Sequence, residues 1–255
     1  MFQNANTIGL LTALLLPLVL QKVIRTKQKR FYLFLLLMMV AELILSDSRE
    51  GLGAGLISGL YVLIRLHGLR KSMRWFFFIF FPLAIALSPL LIPLVRSGEL
   101  SNYFRINSNI VVIAGGRLEA WVGALKLILA RPLLGYGFGT EDLLFRREKF
   151  LFLFHEGEYV HNAYLGLILQ VGLVGAFLFF APMFVLLVKE MLSKNPSPVR
   201  IGLQGLLLSG LIGCMSESWI YAAGNSQVFM FWSGIAVLEY LRETENRSSR
   251  MVKAT

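Results

Sequence analysis

Residues 163–188 read AYLGLILQVGLVGAFLFFAPMFVLLV, a run without Asp, Glu, Lys or Arg. A helix rises about 1.5 Å per residue, so roughly 20 mainly apolar residues cross a hydrocarbon core about 30 Å thick. This run exceeds that length, and the composition of the whole chain agrees with it. Of 255 residues, 56% are hydrophobic and 16% charged, against about 45–50% and about 25% in soluble domains. That balance excludes a disordered chain, a disulfide scaffold and an ordinary cytosolic enzyme. The single cysteine, Cys214, excludes an internal disulfide and a cysteine-based zinc site. The chain reads as an all-α, polytopic helical membrane protein.

Six further apolar windows flank the first, at residues 8–21, 31–46, 51–66, 75–95, 201–216 and 227–241. Backbone in lipid must pair within its own segment, which makes these runs helices; the alternation of a membrane barrel is absent. The expected organisation is four spans in residues 1–95, a loop over 96–162, three spans in 163–241 and a tail over 242–255. A formal charge of +10 would point to nucleic acid in a soluble protein. Here the basic residues gather in four links: Lys22, Arg25, Lys27, Lys29 and Arg30; Arg65, Arg70, Lys71 and Arg74; Lys189, Lys194 and Arg200; Arg242, Arg247, Arg250 and Lys253. With seven spans all four fall on one side, and basic residues mark that side as cytoplasmic. The basic excess is therefore a topology signal, and no nucleic-acid partner is expected. The N-terminus, the turns 46–51 and 217–226 and the loop 96–162 face outward. The charges follow the first apolar run, the reverse of a secretory signal peptide, so either that helix inserts N-out or earlier spans precede it. Residues 194–200 and the polar tail look flexible.

The long outer loop is the part expected to do chemistry. Within it, Leu118, Trp121, Val122, Leu125, Ile128 and Leu129 share one helical face, read as an amphipathic helix on the membrane surface. Arg117 at its start is left over for function. Gly135-Tyr136-Gly137-Phe138-Gly139 superficially resembles a phosphate loop, but it neither follows a strand nor opens a helix as a dinucleotide fingerprint must. It reads as a tight, irregular turn. The stretch from His155 to His161 lacks the four-residue histidine spacing of a zincin, and no metal or cofactor is expected. His161 stands where the loop re-enters the membrane. A lone interfacial histidine is ordinarily structural, but its unperturbed pKa of about 6.5 also suits a general base. Asp47-Ser48-Arg49-Glu50 is a second outward polar island, with a solvated turn as its plain reading. Glu42 and Glu217 lie toward the outer ends of spans, where carboxylates turn to a bundle interior or wet cavity.

Taken in order, Gln3-Asn4-Ala5-Asn6, Ser48-Arg49-Glu50-Gly51, Gly116-Arg117 with Trp121, Pro132-Leu133-Leu134-Gly135-Tyr136-Gly137-Phe138-Gly139, His161-Asn162 and Gly172-Leu173-Val174-Gly175 form a recognisable set. The set resembles the O-antigen ligase and polymerase superfamily, bacterial inner-membrane glycosyltransferases of type C architecture. The resemblance runs from the first residues to about residue 227, and the Pro132–Gly139 run followed by His161-Asn162 is its specific part. It implies metal-independent transfer of a glycan from undecaprenyl pyrophosphate to an acceptor hydroxyl at the periplasmic face. The acceptor would be lipid A–core in a ligase and another lipid-linked glycan in a polymerase. Carried onto this sequence, the resemblance makes His161 the base and assigns Arg49 and Arg117 to the pyrophosphate. Asn162, Tyr164 and Glu217 become supporting or sugar-binding candidates. The match begins in what would be the middle of a family member, so the expectation is a chain lacking the N-terminal half.

Two other classes compete. A transporter or flippase of lipid-linked sugars would spread polar residues along the spans and break helices in paired positions. An inactive truncated paralogue with a structural role would have the same sequence features. The polar residues of this chain cluster at the outer ends instead, which favours an enzyme working on that face.

Overall fold

The computed structural model describes residues 5–46, 48–67, 117–147, 159–222 and 224–254. Among these residues there are eight helices and no strand. They are α1 (Ala5–Arg25), α2 (Lys29–Leu45), α3 (Arg49–His67), α4 (Arg117–Ala130), α5 (Glu141–Arg147), α6 (Ala163–Leu192), α7 (Pro198–Gly213) and α8 (Ser226–Ala254). Helices occupy six of the seven apolar windows; the seventh, 75–95, lies outside the described residues, as do Gln3, Asn4, Asp47, Gly115, Gly116 and residues 155–158. Two helices, over Asn6–Arg25 and Ala163–Leu192, are long and apolar enough to cross a membrane. The chain forms two compact units, Met1–Leu69 with Phe180–Thr255, and Arg70–Phe179.

In the first unit α1 is the hub, packing on α3, α7, α2 and α8. Lipid tails are as apolar as leucine, so helices in a bilayer associate through close packing of small residues rather than hydrophobic drive. The buried face of α3 carries Gly51, Ala54, Gly55, Ser58 and Gly59 at three- and four-residue spacing. A Cβ at Gly51 would stand 2.6 Å from the backbone carbon of Gly9, so α1 and α3 meet backbone to backbone. Ser209 of α7 adds a hydrogen bond, its hydroxyl donating to the carbonyl of Ala13 at 2.9 Å. By contrast, α2 buries only Leu43 and leaves Phe31, Phe34, Leu37 and Met38 exposed. Such an apolar, unburied surface suits contact with lipid.

The basic end of this unit is held by charge. Arg25 donates to the carbonyl of Leu66 at 2.9 Å, and Arg65 donates to the carbonyl of Ser193 at 3.0 Å. Each arginine thus satisfies carbonyls that a helix end leaves unpaired. Arg200, only 4% exposed, grips the fully buried Glu190. Its Nη2 reaches the two carboxylate oxygens at 2.8 and 2.9 Å, and its Nη1 donates to Glu245 at 2.6 Å. Gln204 donates to the same Glu190 carboxylate at 2.8 Å, and the Tyr61 hydroxyl donates to Gln204 at 2.7 Å. The network ties α3, α6, α7 and α8 together.

These contacts revise two expectations. Residues 194–200 look flexible in the sequence, but Ser197 accepts a hydrogen bond from the Arg200 backbone N–H and caps α7, with Pro198 at its first turn. The polar tail continues α8 to Ala254, because Glu245 anchors it to Arg200. Arg200, one of the basic residues of the 194–200 link, is buried and ion-paired. Burial pushes the Glu245 carboxyl up, but hydrogen bonds from Ser197 and Arg200 outweigh it and hold the group below its usual value. The stability this lends is present above the ordinary carboxylate range and is lost as pH falls through the lowered folded value.

Replacing Glu190 by Ala should therefore cost about 3–5 kcal/mol, the usual consequence of leaving a buried charge without its partner. The readout is the melting temperature of the detergent-solubilised chain, and an unchanged value would show that the cluster adds no stability. Glu245→Ala should have a smaller effect on melting but speed amide exchange across residues 242–254.

Candidate active site

The second unit is organised around a break in α6. Gly172 adopts φ 71° and ψ −179° in the middle of that helix, a combination open essentially to glycine alone. The break frees backbone groups on both sides, and the loop after α4 supplies their partners. Leu173 and Val174 donate to the carbonyls of Pro132 and Leu133 at 2.8 and 3.3 Å. Tyr136 and Gly137 donate to the carbonyls of Leu169 and Gln170 at 3.1 and 2.7 Å. The contact is so close that a Cβ on Gly172 would lie 2.1 Å from the Leu133 carbonyl oxygen. On the other side, a Cβ on Gly135 (φ 64°) would lie 2.6 Å from the backbone of Gln170. The glycine-rich run is the expected irregular turn, and its purpose is structural: it completes the hydrogen bonding of a broken helix. The two family-like motifs, 132–139 and 172–175, are the two sides of one contact.

Around this seam a small core forms from Ala124, Leu127, Ile128, Leu144, Phe145, Val160 and Leu169. It takes up one side of α4 and leaves part of its expected apolar face uncovered, as contact with a membrane surface would need. The helix turns Ala120, Ala124, Leu127 and Ile128 inward, while Val122, Leu125 and Leu129, assigned to its apolar face, stay exposed. Tyr136 fixes the loop to α4 by donating its hydroxyl to the Leu127 carbonyl at 3.0 Å, and Arg131 stacks over the Tyr136 ring at 5.0 Å.

His161 lies on this scaffold in an unusual conformation. It is the only non-glycine among the described residues with positive φ, at 48°, which costs on the order of 1–3 kcal/mol and persists only where neighbours enforce it. Both flanking residues are held. On one side the Trp121 indole N–H donates to the Val160 carbonyl at 2.9 Å, and the Val160 N–H donates to the Glu141 carboxylate. On the other, the Asn162 side-chain oxygen accepts the backbone N–H groups of Tyr164 and Leu165, both at 3.0 Å. Asn162 is thus the N-cap of α6, a role that occupies its side-chain oxygen. Arg117 begins α4 one turn before Trp121 and on the same side of the helix. Arg117, His161, Asn162 and Tyr164 therefore share one unit.

Arg49 and Glu217 belong to the other unit. Ser48 is buried and its hydroxyl accepts the Gly51 N–H at 3.2 Å, which caps α3 and sets Arg49 exposed on the first turn. Glu217 accepts a hydrogen bond from the Asn6 amide at 3.3 Å.

Two residues of the site escape a reading of the sequence. Glu141, at the start of α5, is 4% exposed, and its second carboxylate oxygen accepts from Gln170 at 3.0 Å. Gln170 in turn accepts the Gly139 N–H at 2.7 Å. Burial pushes the Glu141 carboxyl above its ordinary value; the Val160 N–H and the charge of His161 pull it back, and Asp142 adds to the rise. Nothing in the spacing announces Glu141. Gln170 carries a signal, being an amide inside an otherwise apolar run, where polar groups are costly unless paired.

The seam can be tested directly. Gly172→Ala should lower the melting temperature and open residues 132–137 to protease, whereas Gly53→Ala, whose Cβ would meet nothing within 4 Å, should do neither. Equal behaviour of the two variants would remove the seam from the structural argument.

A family model for O-antigen ligase matches residues 33–180, more than half of the 255-residue chain. No curated protein matches the chain. The matched stretch contains Arg117, the glycine-rich loop, His161 and the break at Gly172, which share the second unit, and also Arg49 of the first. The chain belongs to the O-antigen ligase family.

Proposed function

We propose that this protein is a bacterial inner-membrane glycosyltransferase of the O-antigen ligase type, with about seven spans and its working face in the periplasm. Membership of the family supports a role in polysaccharide biosynthesis. The donor is a glycan on undecaprenyl pyrophosphate, and the acceptor is a hydroxyl of lipid A–core or of another glycan. The observation that carries this reading is His161, held at positive φ by contacts on both neighbours, inside the segment matched by the family. A side chain kept in a strained, pre-set place suits a reacting group.

The chemistry needs few parts. The acceptor oxygen bonds to the anomeric carbon while the bond from that carbon to the pyrophosphate oxygen breaks. His161 takes the proton of the attacking hydroxyl. The departing pyrophosphate gains negative charge, which a guanidinium stabilises through two parallel hydrogen bonds. By their places in the family-like motifs, Arg117 and Arg49 bind that pyrophosphate. Tyr164 and Glu217 are assigned to the sugar, and Asn162 to support of the base. No metal or other cofactor has a part in this scheme.

With the full chain in membranes, supplied with the lipid-linked glycan and an acceptor, His161→Ala and His161→Asn should each lose transfer by at least about 100-fold. Asparagine tolerates the left-handed conformation, so its variant separates lost chemistry from lost backbone geometry. Arg117→Lys should also lose most activity, since a point charge does not reproduce the fork. Normal transfer by both histidine variants would refute the assignment. Movement of the lipid-linked glycan across the bilayer with no new glycosidic bond would favour a carrier.

A further inference from the structure

We propose that Glu141 is the positioning residue of His161, locking the peptide that leads into the histidine and the α6 backbone wall behind it. This rests on His161 as the proton acceptor. One carboxylate oxygen of Glu141 accepts the Val160 N–H, and the other accepts the Gln170 amide at 3.0 Å. Gln170 also reaches the Gly166 carbonyl at 3.1 Å and receives the Gly139 N–H at 2.7 Å. Two buried side chains, Glu141 and Gln170, therefore join α5, the glycine-rich loop, residue 160 and α6. Two of those pieces, residue 160 and α6, flank the histidine in sequence.

The arrangement does more than support the fold. Val160 is held from both its polar atoms, its carbonyl by Trp121 and its N–H by Glu141. That leaves the following residue little freedom to relax from its positive φ. A buried carboxylate is costly unless hydrogen-bonded. Both oxygens here are so bonded, and among the described residues no lysine or arginine pairs with it.

The test uses Glu141→Gln and the exchange Glu141→Gln with Gln170→Glu, in the full chain in membranes. In the single variant the new amide nitrogen opposes that of Gln170, and the link is lost. In the exchange, the glutamine can accept from Val160 and donate to the new glutamate, which still receives the Gly139 N–H. The single variant should lower kcat by about 10–100-fold with KM for the lipid-linked donor little changed. Amide exchange should quicken at residues 159–162, and the exchange variant should recover most of both losses. An unchanged kcat, a loss confined to KM, or a failure of the exchange variant to recover either readout would overturn the proposal. The two readings fail separately. Transfer that survives His161→Ala removes the base assignment, whereas unaltered exchange at 159–162 in Glu141→Gln removes the positioning role.

Discussion

A helix broken within an apolar run leaves backbone donors and acceptors that hydrocarbon cannot satisfy, each costing several kcal/mol. In this protein the break at Gly172 is satisfied by residues 132–137, which bond to the helix on both sides of the gap. The arrangement requires two backbones to approach so closely that a Cβ on either side would clash, and Gly135 and Gly172 permit it. Because the loop is pinned there, Gly139 reaches Gln170, Gln170 reaches Glu141, and Glu141 reaches the residue before His161. The geometry around the histidine thus descends from a backbone constraint more than ten residues away in sequence.

The first unit obeys the same rule through different chemistry. Its helices meet through small residues at one end and through a buried ionic network at the other. Arg200 is central to the network because its fork serves Glu190 and Glu245 together. Buried ion pairs contribute modestly to stability compared with apolar packing, but they punish misassembly, since any other arrangement leaves a charge unpaired. Arg25 and Arg65, from the basic links, satisfy carbonyls at the ends of neighbouring helices, so these side chains serve packing as well.

The helices and the candidate site differed in how far they could be read. Long uncharged runs announce their helices because length and composition are local properties. The motif residues Arg117 and His161 were legible through family resemblance, and the fold places them in one unit, in which a hydrogen bond joins Trp121 to Val160, 39 residues apart in sequence. The inward face of α4 was not legible, because alanines and a large apolar core partner decide it and the helix carries bulky apolar residues on both sides. Glu141 was hidden for a related reason: a glutamate in a polar loop looks solvated until the fold buries it.

Composition, the charge-free runs and the clustering of lysine and arginine were enough to read the chain as a helical membrane protein, since each depends on residues close in sequence. The motifs were enough to bring its family into view. The pairing of the glycine-rich loop with the α6 break, the burial of Arg200 and Glu141, and the left-handed backbone at His161 had to await the fold. Each is a contact between distant segments, and its energy depends on which groups lose water together, a quantity that no local stretch of sequence contains.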